Sequence, residues 1–512
     1  MPLLNEKKQA IKKANRTHAA SANKKAAVPG QCPLHKKCGG CQLQNMSYAE
    51  QLAWKQGKVN RLLARFCRPA PIIGMERPYH YRNKVQAAFG TARGGRIISG
   101  VYQSSSHRIV PVDSCLIEDK KADEIIVTVR RLLQDFKLTA YDERTGRGLL
   151  RHVLVKHGFA SGEIMVVLVT STPIFPAKRN FVKALLQKHP DITTVVMNIN
   201  PYETSLVLGE RETVLYGPGF ITDTLCGCRF RISSRSFYQI NPVQTEILYR
   251  KAIELAGLSG EETVIDAYCG IGTIGILASS RAKAVIGAEL NADAVRDAGI
   301  NAKLNGVKNI RFVRADAGKF MAAMAENGET ADVVFLDPPR AGSDERFLAS
   351  LATLSPRRIV YISCNSETQA RDLAFLIHHG YRVETIQPVD MFPHTNHVET
   401  IVLLSHKSPD SHINVKVEFG EGEGKVPLDA IAERAKKYQP KPKITYKMIQ
   451  EYVEKKYGFR VHTAYIAEVK RSLGLVMYDT PNAVEELRQP RKYPPKEKVE
   501  AIKDALKYFE VI

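Results

Sequence analysis

The stretch that most constrains this chain is Thr263-Val-Ile-Asp-Ala-Tyr-Cys-Gly-Ile-Gly-Thr-Ile-Gly275. A short apolar run rich in β-branched residues ends at Asp266, and glycines at 270, 272 and 275 then open a helical pattern. The order is strand, tight turn, helix, which belongs in a sheet with a nucleotide cofactor at the carboxyl ends of its strands. The spacing Gly270-x-Gly-x-x-Gly275 is shared with dinucleotide enzymes and leaves the cofactor open. The next apolar run, Ala284-Val-Ile-Gly-Ala-Glu289, closes on a carboxylate that can accept from a ribose diol, which suits NAD and S-adenosylmethionine alike. The run Asp332-Val-Val-Phe-Leu-Asp-Pro-Pro-Arg340 separates the two. A rigid acid-Pro-Pro turn at Asp337 suits a base-modifying methyltransferase, which holds a flat ring against it, and serves no purpose in a dehydrogenase. The stretches together read as a methyltransferase, ahead of a dehydrogenase or a non-enzymatic nucleotide-binding fold.

Apolar runs at 263 to 267, 284 to 289, 309 to 313, 332 to 336, 358 to 362, 382 to 386 and 398 to 403 alternate with helical patterns, except that a loop joins the last two. This predicts an α/β fold over residues 240–407, with a final strand that turns back antiparallel. The ends of the first, second, fourth and fifth runs carry Asp266, Glu289, Asp337 and Cys364, which places them at one edge of the sheet.

A chain of 512 residues is too long for one ordinary domain. Residues 1–31 read as a basic tail. Residues 32–71 hold a cysteine loop and then a helix of roughly 20 residues, which Ser47-Tyr-Ala-Glu50 starts in capping-box form and Leu52, Gln56, Val59, Leu63 and Phe66 continue. Residues 72–239 turn to short alternating runs near 84–89, 108–112, 152–156, 163–169 and 194–197, with helical stretches near 118–134 and 179–189. That predicts an α+β central domain, and Tyr79-His-Tyr-Arg-Asn-Lys84 offers it aromatics and cations suited to RNA. Beyond 408, helical patterns at about 445–457 and 463–473 predict a small helical C-terminal extension, either an RNA-holding pair or a packing appendage. A formal net charge of +21 implies a polyanionic partner, nucleic acid before an acidic membrane surface. No apolar run approaches the roughly 18 residues of a membrane span, and the N-terminal cations have no apolar segment behind them. The expectation is a cytoplasmic protein, and a monomer.

Nine cysteines, an odd and scattered set, argue against a disulfide scaffold. In Cys32-Pro-Leu-His-Lys-Lys-Cys38-Gly-Gly-Cys41 three thiols can point at one centre. His35 as a fourth ligand would give zinc, and Cys115 would complete an all-thiolate site. The spacing departs from the paired Cys-x2-Cys knuckles of structural zinc and favours an iron–sulfur cluster over zinc or no metal.

Tyr361-Ile-Ser-Cys364-Asn365 places a thiol directly after a strand, above the same crevice as Asp337. Carbon 5 of uracil attacks a methyl group only after a nucleophile has added to carbon 6, and thiolate serves that purpose. A base must then remove the proton from carbon 5. In His394-Thr-Asn-His-Val-Glu399 the candidate is Glu399, with His394 and His397 as competing bases.

These motifs carry a resemblance. The chain resembles the bacterial RNA uracil-C5 methyltransferase family, and within it the iron–sulfur-containing 23S rRNA branch, over about 32 to 407. The likeness rests on Cys32-x5-Cys38-x2-Cys41 with Cys115, Phe237-x-Gln239-x-Asn241, Asp266-x-Tyr-Cys-Gly-x-Gly, Asp337-Pro-Pro-Arg340, Ser363-Cys364-Asn365 and His397-Val-Glu399. It implies a Rossmann-like seven-stranded S-adenosylmethionine-dependent methyltransferase domain. It implies Cys364 as nucleophile and Glu399 as base, with Gln239, Tyr268, Glu289 and Asp337 around S-adenosylmethionine. It implies a [4Fe-4S] cluster on Cys32, Cys38, Cys41 and Cys115, and a uridine of 23S rRNA as substrate. A tRNA enzyme with the same catalytic residues and a non-catalytic RNA-binding scaffold are the alternatives. A cytosine-C5 enzyme lacks support, because its Asp-x-Pro-Cys turn is absent. Family members carry a small RNA-binding β-barrel before the cysteine loop, where this chain has its basic tail.

Overall fold

A computed structural model of the chain describes residues 32–104, 106–204, 206–406, 445–473 and 494–509. The expected basic tail over 1–31 and the stretch from 408 to the first C-terminal helix lie outside them. The chain divides into a unit that ends at His412 and a second that spans Ile413–Ile512.

In the first unit, β1 (Lys84–Thr91), β2 (Ile97–Tyr102), β3 (Ile109–Pro111), β4 (Leu150–His157), β5 (Ile164–Thr170), β6 (Ile192–Ile199) and β7 (Arg211–Tyr216) form a sheet in the order β3-β2-β1-β4-β5-β6-β7. Only β5 and β6 run parallel. Strand alternation puts Val85, Ala87 and Phe89 in a core shared with helices Lys120–Asp135 and Lys178–Lys188. Leu154, Met165 and Val167 share a second core with Leu248 and Tyr249 of helix Pro242–Ala256. The sheet holds two strands that the sequence did not announce, for separate reasons. β2 is interrupted by Gly100, whose Cβ would meet Val110 O of β3 at 2.0 Å, so close pairing replaces a side chain there. β7 is an edge strand with Arg211, Glu212, Thr213 and Val214 exposed, so it shows no apolar alternation.

A hairpin of β8 (Phe220–Leu225) and β9 (Cys228–Ser233) leads into the second sheet. There β10 (Thr263–Ala267), β11 (Ala284–Glu289), β12 (Ile310–Arg314), β13 (Val333–Leu336), β14 (Arg358–Ser363), β15 (Tyr381–Val389) and β16 (Glu399–His406) take the order β12-β11-β10-β13-β14-β16-β15. β16 is antiparallel to both neighbours and the other pairs are parallel, the Rossmann-like seven-stranded pattern. Both faces are buried. Val264, Val285, Val333 and Val360 enter one core, and Ile265, Ile286, Val334 and Ile359 enter the other. The strand order reverses beside β10, so the crevice opens outside the carboxyl ends of β10 and β13.

Helix Tyr48–Leu63 begins in the capping box of Ser47 and Glu50 and is 16 residues long, shorter than the periodicity suggests. Val59 and Leu63 join the core of the second sheet beside Leu373 and Tyr381. Gln51 and Lys55 lie on the same buried face, where the apolar spacing had selected Leu52 and Gln56. In the C-terminal unit, helices Tyr446–Tyr457, Thr463–Ser472 and Lys496–Tyr508 pack around Ile449, Val453, Ile466, Ile502 and Leu506. The third of these helices was not foreseen. Among the described residues, no helix is long and apolar enough to cross a membrane.

Candidate active site

The loop after β10 builds one wall of the crevice. Tyr268 takes a left-handed backbone (φ 64°) and Gly272 follows with φ 82°. A Cβ at Gly272 would lie 2.7 Å from the Phe312 ring, so only glycine lets the turn lie against the sheet. Asp266 Oδ2 accepts from Gly275 N at 2.7 Å and ties the strand end to the start of helix Thr273–Ser279. Burial pushes the Asp266 carboxyl up to about 7, with Asp337 and Glu289 adding to it and the Gly275 amide opposing. Glu289, at the end of β11, accepts from Gly270 N at 3.1 Å through one oxygen and from Asn291 N at 2.8 Å through the other. Each oxygen keeps a lone pair for a further donor.

Gln239, Tyr268 and Asp337 line one crevice with Phe237, Tyr249 and the Gly270–Thr273 turn. Glu289 borders it through its bond to Gly270. Gln239 is fixed through its main chain, since Asn83 Nδ2 donates to Gln239 O at 3.1 Å and Asn83 N donates to Ile240 O at 2.9 Å. The segment before it is held from two directions. Lys156 Nζ donates to Ser233 O and Ser236 O at 2.7 and 2.8 Å, and the hydroxyls of Ser233 and Ser236 donate to Asp297 Oδ2 at 2.9 and 2.8 Å. Sequence reasoning missed Lys156, because a lysine inside an alternating strand reads as a solvent-facing residue.

Asp337 follows β13, and Cys364 follows β14. The two turns are joined, since Asn365 Nδ2 donates to Arg340 O at 3.1 Å while Asn365 Oδ1 caps helix Ser366–His378. Ser363 pairs with Thr400 across the antiparallel strands, so the next step brings Cys364 toward Glu399. Burial, and then the Glu399 charge, push the Cys364 thiol up to about 11 against the pull of Arg340. Burial and Asp337 hold the Glu399 carboxyl well above the usual range, again against Arg340. Glu399 is 5% exposed and its Oε2 has no hydrogen-bond partner. An acid buried in this way costs free energy unless a ligand uses it. Arg340 is the cation common to both groups; the motif Asp-Pro-Pro-Arg contained it, but only the folded turn shows what it faces. His394 is committed elsewhere, with Nδ1 at 3.2 Å from Gln51 Nε2 and Nε2 at 2.9 Å from Pro78 O. Burial, with Arg340 next, lowers the pKa of His397.

The four cysteines of the N-terminal loop and its partner are all half-buried. Burial raises the Cys38 thiol, and it raises Cys41 to about 11 and Cys115 to about 12. Cys32 and Cys38 act on Cys41, and Cys41 acts on Cys115, so each thiol lies within the field of another. Among the described residues, no three or more His, Cys, Asp or Glu side chains are spaced to hold a single metal ion. His35 Nδ1 turns to Cys32 O at 2.8 Å.

The family model for tRNA (uracil-5-)-methyltransferase matches residues 47–407. An uncharacterized RNA methyltransferase of Halalkalibacterium halodurans is 44% identical over 386 residues, which cover 74% of this chain and 84% of that protein. Another, from Clostridium acetobutylicum, is 44% identical over 380 residues, covering 73% and 82%. Among solved structures, Pyrococcus abyssi tRNA (uracil-54, C5)-methyltransferase in complex with S-adenosyl-L-homocysteine is similar at a TM-score of 0.61 and 30% identity, over 71% of this chain and 85% of that one.

Proposed function

The chain belongs to the tRNA (uracil-5-)-methyltransferase family, and from that premise we propose that it methylates carbon 5 of a uridine in 23S rRNA, with Cys364 as nucleophile and Glu399 as base. Membership makes it an S-adenosylmethionine-dependent RNA uracil-C5 methyltransferase. The observation that carries the residue roles is the approach of a thiol to a buried carboxyl whose Oε2 has no hydrogen-bond partner, at the β14 and β16 boundary beside the Asp337–Arg340 turn.

S-adenosylmethionine supplies an electrophilic methyl group when bound, and Gln239, Tyr268, Glu289 and Asp337 are the residues proposed to hold it. Glu289 would accept from the ribose hydroxyls and Asp337 from a polar edge of the ligand. Cys364 adds as thiolate to carbon 6 of a uracil flipped from its RNA, forming an S–C bond and an enolate. Carbon 5 of the enolate accepts the methyl, whose bond to the donor's sulfur breaks with the electron pair left on that sulfur. Glu399 then removes the proton from carbon 5, and the electrons left behind expel the thiolate. Burial and their mutual repulsion favour the neutral forms of both groups, which avoids two adjacent buried charges. Arg340 and a cationic ligand in the crevice favour the ionised forms that the reaction needs.

Cys32, Cys38, Cys41 and Cys115 are proposed to hold a [4Fe-4S] cluster. What supports the cluster is four half-buried thiols, of which Cys41 and Cys115 pack against the same small core of Met75, Tyr81 and Ile117 and Cys32 and Cys38 lie in the field of Cys41. Such a cluster would tie the cysteine loop to the segment before helix Lys120–Asp135. Anaerobically purified protein should contain close to four irons per chain; stoichiometric zinc without iron would contradict it.

The proposed setting is the cytoplasm, with the protein a monomer. A tRNA substrate is the second reading, favoured by the similarity to the Pyrococcus abyssi enzyme. Transfer of labelled methyl to undermodified 23S rRNA and to tRNA, with the product nucleotide mapped, tests both. Label in 5-methyluridine of 23S rRNA alone supports the proposal, label in tRNA alone moves the substrate, and label in neither refutes the function.

A further inference from the structure

The loop Asp390–Val398 delivers Glu399 to the crevice, and the segment after Cys41 grips it. Leu43 N donates to His394 O at 3.0 Å, and Asn396 N donates to Gln42 Oε1 at 3.2 Å. One turn into helix Tyr48–Leu63, Gln51 Oε1 accepts from His394 N at 2.9 Å while its amide nitrogen meets His394 Nδ1 at 3.2 Å. Lys55 Nζ then reaches Asp390 Oδ1 and Phe392 O. His394 is 3% exposed, has both ring nitrogens bonded, and takes a left-handed backbone (φ 69°) that a residue with a Cβ resists. Such a conformation persists only where its surroundings over-determine it.

We propose that Gln42–Lys55 is a clasp that positions the Glu399 carboxylate, which makes Gln51 and His394 positioning residues for the proton-removal step. The inference rests on Glu399 being the base. Glu399 opens β16 and pairs with Val389 of β15, so the clasp acts on it through the loop that enters the strand, whereas Cys364 lies just beyond β14 and is fixed by the Asn365 cap and by the bond of Asn365 to Arg340. Loosening the clasp therefore separates the two halves of the reaction, sparing attack by Cys364 and slowing the release that needs Glu399.

The test uses full-length protein, undermodified ribosomal RNA and tRNA, and labelled S-adenosylmethionine in single-turnover experiments. In Gln51→Ala the methylated RNA–protein adduct should form within about twofold of the wild-type rate and resolve at least tenfold more slowly, so a denaturation-resistant complex accumulates. His394→Asn tolerates the left-handed backbone but loses the ring contacts, and should show the same split. Hydrogen exchange should quicken at least tenfold over 390–398 in both variants and stay unchanged over 358–364. Equal slowing of both steps, or of neither, in a folded variant overturns the clasp. So does exchange of the His394 and Asn396 amides in the wild type at the rate of an unprotected amide, whatever the variants do. If the wild type methylates RNA but Glu399→Gln releases product normally, the underlying assignment fails instead.

Discussion

Two sides of the loop Asp390–Val398 treat buried charge in opposite ways. Toward helix Tyr48–Leu63, Lys55 meets Asp390 at 2.5 Å, donates to Phe392 O at 2.9 Å, and Tyr48 OH reaches the other carboxylate oxygen at 2.9 Å. Both charged side chains there are fully buried and both are partnered. Toward the crevice, Asp266 and Glu399 are buried beside the half-buried Asp337, which acts on both, with the exposed Arg340 opposing, of these acids, only at Glu399, whose Oε2 is bonded to nothing. Paired charge fixes the position of a segment, whereas a buried acid without a counter-charge is held toward its neutral form, and ionising it carries a cost that a bound cationic ligand offsets. The same loop is anchored on its structural side and left poised on its chemical side.

Substitutions on the two sides should therefore have opposite signs. The largest effect belongs to Lys55→Ala, which strands Asp390 and should destabilise the full-length protein by about 3–5 kcal/mol in denaturant titration. A loss below about 1 kcal/mol would mean that the pair is solvated and that the comparison fails. Glu289→Ala sharpens the crevice side: it should leave the fold intact and weaken S-adenosylmethionine by about 1.5–3 kcal/mol, the range of hydrogen bonds to charged groups. Unchanged affinity by calorimetry would remove Glu289 from the site, and tight NAD binding would overturn the cofactor.

The smallest expected effect is a gain. The Asp266 carboxyl has an ordinary pKa of about 3.9 in an unfolded chain and about 7 in the fold. Below about pH 4 both states are protonated and burial carries no ionisation cost. As pH rises from about 4 to about 7 the unfolded chain ionises first and stability falls, and above about 7 the loss is complete. Asp266→Asn removes that ionisation cost, at most roughly 4 kcal/mol, but its amide oxygen is a weaker acceptor for Gly275 N, so the net gain for cofactor-free protein above pH 7 should be about 1–2 kcal/mol. The gain should vanish toward pH 4. A gain that persists at pH 4 would show that something other than ionisation is responsible.

The same contrast explains what the sequence disclosed. Residues at strand ends were legible because parallel strands bring their carboxyl ends to one edge. Asp266, Glu289, Asp337 and Cys364 could thus be grouped from apolar runs alone, and the antiparallel return added Glu399. Gln51 and Lys55 were not legible, because helical periodicity counts apolar residues and a buried polar face looks like a solvated one. Arg340 was visible within its motif, but its effect on both Cys364 and Glu399 needed the bond between Arg340 O and Asn365. β7 escaped notice as an exposed edge, and the relation of Cys115 to Cys41 depends on the small core of Met75, Tyr81 and Ile117 that both pack against rather than on any local pattern.

The division of labour between Cys364 and Glu399 is the centre of the account, and denaturing electrophoresis of enzyme incubated with RNA and labelled S-adenosylmethionine tests it most directly. Cys364→Ala should give no RNA–protein adduct and no methyl transfer. Glu399→Gln should accumulate a methylated adduct that survives denaturation, while His397→Ala, tested beside it, should release product as the wild type does. Trapping by His397→Ala but not by Glu399→Gln would move the base to the histidine. Methyl transfer by Cys364→Ala, or no adduct in either base variant with RNA and cofactor still bound, would contradict the account.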